Sequence, residues 1–199
     1  DLIAGLPGED IDSFAAGFDQ LVALAPHEIQ FGILKRLRGT PIIRHTQDFG
    51  LRFNPDPPYN VLATDRIPFA DFQRLARFAR YWDLYANSGR YRRSLPLLLG
   101  ERPFAHFLAF SDWLYRRCGR THGLAQEKLV EWLREYLHQR ASASAELSEA
   151  QIDAALIEDY RGSGGRSKLS FEPEGRSMPP RPAGTRQAGA TPARQRRHM

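Results

Sequence analysis

Apolar positions along the chain change period several times, and each change marks an element. Leu2, Ile3 and Ala4 make a short apolar run that stops at Gly5-Leu6-Pro7-Gly8, the punctuation of a turn after a buried strand. A helix is predicted next. Asp10 or Asp12 caps it, Phe14, Phe18, Leu21, Val22 and Ala25 recur at helical spacing, and Pro26 forbids continuation. Ile29, Phe31 and Ile33 then alternate, followed by Leu34, as in a strand. Strand, helix and strand make a βαβ unit, so the two strands are expected side by side and parallel, joined by a right-handed crossover. One such unit cannot cover both faces of its sheet, which is expected to need more strands than this chain supplies.

After Gly39-Thr40-Pro41 a short helix is expected as far as Gly50, then two short strands, 51–53 and 59–63, across Asn54-Pro55-Asp56-Pro57-Pro58. From Pro68 the pattern becomes helical, with Phe72, Leu75, Ala76, Ala79 and Trp82 on one face until Asn87-Ser88-Gly89. Phe104, Phe107, Leu108, Ser111, Leu114 and Tyr115 trace a second stripe, ending before Gly119. Leu129, Trp132, Leu133, Tyr136 and Leu137 trace a third. Ser148 with Gln151 reads as a capping box for a last helix carrying Ile152, Ala155 and Leu156. Trp82, Trp113 and Trp132 belong with the bundle core on this reading. From Arg161 the sequence fills with Gly, Ser, Pro and Arg, the composition of a disordered tail. The fold class predicted is α/β, then mostly α: an α/β segment over 1–50, a helical domain over 51–160 and an Arg/Pro/Gly-rich tail over 161–199.

Composition supports one ordinary core, with 42% hydrophobic and 11% aromatic residues among 199. The formal charge of +5 divides unevenly: from residue 161 onward nine Lys or Arg face two Glu, a net +7, which leaves −2 for residues 1–160. The near-neutral part lacks the broad basic footprint of a duplex-binding domain. No run approaches the roughly 20 apolar residues of a membrane span, and no apolar signal segment leads the chain. A cytoplasmic protein without a membrane partner is therefore expected. The start at Asp1, directly in strand-like sequence, reads as that of a cut chain.

The single cysteine, Cys118, forms no internal disulfide and cannot alone supply the thiolates of a zinc site or an iron–sulfur cluster. It reads as a half-buried helix residue. Histidines 27, 45, 106, 122, 138 and 198 show no metal-ligand spacing, and no Gly-x-Ser-x-Gly motif or paired carboxylates point to a hydrolase. Arg90, Arg92 and Arg93 with Arg116, Arg117 and Arg120 are candidates to frame an anionic substrate group. Solvated basic residues at helix ends are the plainer explanation.

The most informative stretches are Asp1-Leu-Ile-Ala-Gly-Leu-Pro-Gly-Glu9 and Ile29-Gln-Phe-Gly-Ile-Leu-Lys-Arg-Leu-Arg-Gly-Thr-Pro41. Together they resemble the fifth and sixth strands of the radical SAM barrel, as written in the cobalamin-binding-domain and coproporphyrinogen-dehydrogenase-like branches. The first is similar to that family's adenine-contacting motif, G-x-I-x-G-x-x-E, at Ile3 and Gly5. It departs from the motif in having Asp1 for the first Gly and Glu9 one position late. The resemblance continues through Pro58-Tyr-Asn-Val-Leu-Ala-Thr64 and Arg80-Tyr-Trp-Asp-Leu-Tyr-Ala-Asn-Ser-Gly-Arg-Tyr91, which look like the helical domain following the barrel in radical SAM proteins with an N-terminal cobalamin-binding domain. Pro192-Ala-Arg-Gln-Arg-Arg-His198 is also similar; the stretch 161–190 is weaker.

What the resemblance implies is the last βα units of a partial TIM-type barrel, capped by a helical domain. Ile3, Ala4 and Gly5, with Leu34 and Lys35 at the end of the next strand, would line the adenine of S-adenosylmethionine (SAM). The glycine would permit close approach of backbone to a flat nucleoside. The family's cofactors are SAM and a [4Fe-4S] cluster, held by Cys-x3-Cys-x2-Cys, and that spacing is absent here. The chain alone is therefore expected to be inactive, with the missing N-terminal half of the barrel as its partner, a small-molecule substrate that these residues do not specify, and cobalamin, where used, bound upstream. A rival from another class is a non-enzymatic helical module whose basic tail binds RNA or another polyanion, losing affinity with salt and with removal of 161–199. The −2 charge of the remainder argues against nucleic acid.

Overall fold

A computed structural model describes residues 1–143 and 147–173. The βαβ unit forms as its pattern requires. β1 (Leu2–Ala4) and β2 (Phe31–Ile33) pair in parallel, Leu2 opposite Phe31 and Ala4 opposite Ile33. The Leu2 N–H donates to the Gln30 carbonyl at 2.8 Å and the Leu34 N–H to the Ala4 carbonyl at 2.9 Å. Between the strands runs α1 (Ile11–Ala23). Its first turn is closed reciprocally, the Asp10 carboxylate accepting from the Ser13 N–H at 2.8 Å and the Ser13 hydroxyl from the Asp10 N–H at 3.0 Å. The helix buries Phe14 and Phe18, one turn apart, and stops short of Pro26 with Ala25 in the left-handed region at φ +47°.

The helix expected from Pro41 to Gly50 is only a 3-10 segment, Pro41–His45. The backbone turns back at Gly50, φ +57°, before the Leu51 N–H bonds to the Thr46 carbonyl at 2.9 Å. Two short antiparallel strands follow, β3 (Arg52–Phe53) and β4 (Val61–Ala63).

The rest is helical: α2 (Phe69–Trp82) running into a π-helical turn (Asp83–Asn87), α3 (Ser94–Leu99), α4 (Pro103–Cys118), α5 (Gln126–Ala143) and α6 (Glu149–Gly162). α4 packs on α1, α2 and α3, and α6 on α3 and α5. The fold is thus mostly helical with a few short strands, an arrangement compatible with α/β sequence followed by helices. No helix among the described residues is long and apolar enough to cross a membrane.

The two segments share one core. The Phe18 ring meets Phe78, Trp82 and Phe104 edge-on at 5.1, 4.8 and 5.8 Å between centroids, so an α1 side chain fills the space between α2 and α4. Backbone bonds reinforce the joint. The Asp19 carboxylate accepts from the Phe104 N–H at 2.7 Å, and the Asn87 amide receives the Ile29 N–H and donates to its carbonyl, at 3.2 and 3.0 Å.

Several helix faces are rotated from the expected stripes. Ala76 is exposed and Ala79 half-buried, while Phe78 and Tyr81 are fully buried, because α2 meets β2 and β4 as well as α4 and buries a wider arc than one partner demands. Tyr115 is also outside the core, covered by the Arg77 guanidinium 4.5 Å from its ring centroid. Trp82 lies in the core; Trp113 and Trp132 pack half-buried at its margin. Ser148 precedes α6, but its side chain makes no capping bond, so the expected capping box does not form.

The chain beyond Arg161 is not featureless where it is described. Leu169 is buried, the Phe171 ring lies 4.5 Å from the Arg134 guanidinium, and Arg161 pairs with Glu172, so 163–173 forms a strap over α5 and α6. Leu169 and Phe171 supply the apolar contact that a purely polar segment would lack. The remainder of the expected tail, 174–199, lies outside the described residues.

Asp159 joins α6 to the start of α3. Its buried carboxylate accepts from the Arg93 N–H at 3.1 Å, the Ser94 N–H at 2.9 Å and the Ser94 hydroxyl at 2.7 Å. Asp159→Ala strands these donors and is expected to cost about 3 kcal/mol, read as a lower urea midpoint at unchanged slope. A midpoint equal to wild type would show that water replaces the carboxylate without loss.

Candidate functional site at the strand ends

In parallel sheets the carboxyl ends of the strands, and the turns beyond them, are where ligands gather. Here β1 and β2 end at the same edge, and the five residues singled out in the sequence lie along it. Ala4 is buried beneath the edge, Ile3 is 44% exposed, Leu34 is half-buried and Lys35 is exposed. Leu34 links three strands through its backbone: its N–H reaches Ala4, and its carbonyl accepts from the Val61 N–H at 2.8 Å. Lys35 pairs with Asn60 in an antiparallel bridge, and the Arg36 N–H donates to the Tyr59 carbonyl at 3.0 Å.

Gly5 holds φ +96°, a conformation that L side chains rarely adopt. A Cβ there would lie 2.8 Å from Val61 Cγ1 and 2.9 Å from the Phe72 ring. The room left by the missing side chain is therefore filled from within the chain. On that side the glycine admits β4 and α2.

Glu9, one position late for the family motif, still reaches the turn. Its Oε2 accepts from the Gly5 N–H at 2.8 Å and the Leu6 N–H at 3.4 Å. Burial pushes its carboxyl above the usual range, against the pull of those two backbone donors.

A [4Fe-4S] cluster does not fit these residues. It takes several thiolates, and the chain has only Cys118, whose Sγ bonds to the Arg120 carbonyl at 3.1 Å. Among the described residues no group of three His, Cys, Asp or Glu is placed to hold a metal ion. At the strand edge Gly5 itself is buried, the Leu34 N–H and carbonyl are both bonded within the chain, and the exposed apolar surface is that of Ile3. The six candidate arginines at the helix ends are all exposed; Arg93 pairs with Glu158 and Arg117 with Glu135.

One polar cluster was not legible as such. His138 and Arg134 of α5 both bond to Asp153 of α6, at 2.8 and 2.6 Å, beside a groove bounded by Phe171 of the strap. Their i,i+4 spacing was visible in the sequence, but the carboxylate comes from another helix. Burial raises the Asp153 carboxyl, and the bonds from Arg134 and His138 outweigh it, holding the group below the ordinary range. A carboxyl depressed on folding stabilises above its unfolded pKa of about 3.9 and loses that contribution as pH falls through the folded value. The difference in melting temperature between wild type and Asp153→Asn is therefore expected to be full near pH 6 and to shrink below about pH 4. A difference that does not change with pH would refute the assignment.

Comparison with known families places most of this architecture. The family described as a protein of unknown function (DUF4080) matches residues 47–170. No curated protein and no solved structure matches the chain. The match begins before β3, takes in Val61, Phe72 and all five helices from α2 to α6, and covers more than half of the 199 residues. The chain belongs to the DUF4080 family.

Proposed function

We propose that this chain is the C-terminal portion of a radical SAM enzyme, in which β1 and β2 are late strands of a partial TIM-type barrel and the DUF4080 region is a helical cap. One observation carries the reading: two parallel strands end at one edge, with the Gly5 turn and Leu34 side by side there. The resemblance of residues 1–41 to the fifth and sixth barrel strands supports it. Ile3, Ala4, Gly5, Leu34 and Lys35 would form one wall of the adenine pocket, through backbone atoms and the Ile3 and Leu34 side chains.

Bound SAM, with a reduced [4Fe-4S] cluster held outside this chain, would supply radical chemistry that abstracts hydrogen, and of this chain's residues Ile3, Ala4, Gly5, Leu34 and Lys35 would hold the adenine end. Within this chain the residues would orient the nucleoside and keep water from that side of it. The cluster would be bound by cysteines outside the chain, cobalamin, where used, would bind upstream, and the substrate would be a small molecule. On this reading the protein is an oxidoreductase-type enzyme of the cytoplasm, inactive as the 199-residue piece.

The test is reconstitution. Under anaerobic conditions with iron and sulfide, the 199-residue chain is expected to yield neither visible cluster absorption nor 5′-deoxyadenosine from SAM. The polypeptide extended upstream through a Cys-x3-Cys-x2-Cys segment is expected to yield both. An upstream coding sequence without that spacing would end the proposal.

A further inference from the structure

The DUF4080 region begins at residue 47, yet two of its buried side chains shape the turn at Gly5. Val61, on β4, touches that site twice. Its N–H donates to the Leu34 carbonyl at 2.8 Å, fixing the end of β2, and its Cγ1 stands 2.8 Å from where a Gly5 Cβ would be. Phe72, on the first turn of α2, closes the same side with its ring edge at 2.9 Å. Both residues are buried, at 2% and 3% exposure, so neither can itself meet a ligand. From the front, Glu9 ties down the Gly5 and Leu6 amides. The turn is thus gripped between its own helix entry and the family domain, and the Leu34 backbone is tied to the same domain strand.

We infer that Val61 and Phe72 are positioning residues for the strand-end edge beside the buried Gly5, where Ile3 and Leu34 would face the nucleoside, and that one role of the DUF4080 domain is to buttress that edge from behind. The inference rests on the SAM reading proposed above and adds to it a task for the domain. A strand end displaced by even about 1 Å loses the registry that close contacts with a ligand need. Removing the packing should therefore weaken ligand binding without removing any ligand contact.

The experiment uses the upstream-extended polypeptide and measures SAM affinity by equilibrium dialysis, with thermal melts confirming that each variant is folded. Val61→Ala and Phe72→Leu are expected to weaken SAM binding about tenfold while leaving turnover at saturating SAM close to wild type. Leu137→Ala, a core truncation on α5, which packs on α4 and α6, is expected to lower stability without moving SAM affinity. In the 199-residue chain, the Gly5 and Leu34 amide resonances are expected to shift in the first two variants and stay in place in the third. Wild-type affinity in both Val61→Ala and Phe72→Leu overturns the buttress and leaves the SAM reading standing. Equal weakening in all three variants also overturns it, because general destabilisation then accounts for the effect. Absence of SAM binding by the unmutated extended protein overturns the SAM reading, and this inference with it.

Discussion

Removal of residues 1–46 is expected to abolish cooperative folding, even though the family match starts only at residue 47. The helices beyond that boundary do not close their core alone. Phe14 and Phe18 of α1 are 1% and 0% exposed, and their rings meet Phe78, Trp82 and Phe104 of α2 and α4. Truncating a buried phenylalanine costs about 3–5 kcal/mol through lost transfer energy and the cavity left behind. Two such losses compare with the whole stability of an ordinary domain, about 5–15 kcal/mol. The deletion would also leave the Phe104 N–H without Asp19 and the Asn87 amide without Ile29. A single substitution, Phe18→Ala, should lower the unfolding free energy by about 3–5 kcal/mol in urea titration. A piece spanning 47–173 that unfolds as steeply and at the same urea concentration as the whole chain would refute the shared core.

The second large effect is expected at Gly5→Val, in the absence of any ligand. The new Cβ would meet Val61 Cγ1 and the Phe72 ring at 2.8 and 2.9 Å, and a branched side chain would be forced to φ +96°. Overpacking costs about 1–3 kcal/mol and backbone strain about 1–3 kcal/mol, so a loss on the order of 3 kcal/mol or more is expected. The measurement is a melt of the 199-residue chain in buffer without SAM. Reduced SAM binding by this variant in a longer polypeptide would follow from the deformed turn whether or not a nucleoside touches Gly5. That is why the buttress is better probed at Val61 and Phe72. A melting temperature within about a degree of wild type would show that β4 and α2 move aside, and would remove the internal explanation for the glycine.

Local pattern was enough for the parallel unit. The apolar run 2–4, the Asp10 cap, the Phe14 and Phe18 spacing and the alternation at 29–33 each act over a few residues, and strand-helix-strand chirality supplies the rest. The long amphipathic helices were legible for the same reason. α3 was missed because six residues containing Pro96 carry too little period to register, and it is held by Asp159 from 65 residues away. The π-helical turn was likewise read as the end of α2, where Asn87 is used to clamp Ile29.

The site shows the same division. Residue types at the strand ends and a glycine with a special role could be read from the chain, because both depend on neighbours in sequence. What occupies the space beside Gly5 could not, since Val61 and Phe72 come from 56 and 67 residues further on and reach it only after β4 and α2 have packed. Likewise the strap at 163–173 looked too polar to settle, yet Leu169 and Phe171 find a surface that α5 and α6 make together. Backbone preference and apolar period are properties of short segments and were decided by the sequence itself. Which side of a turn is filled, and by whose side chain, is a property of the closed core, and only the tertiary structure decided it.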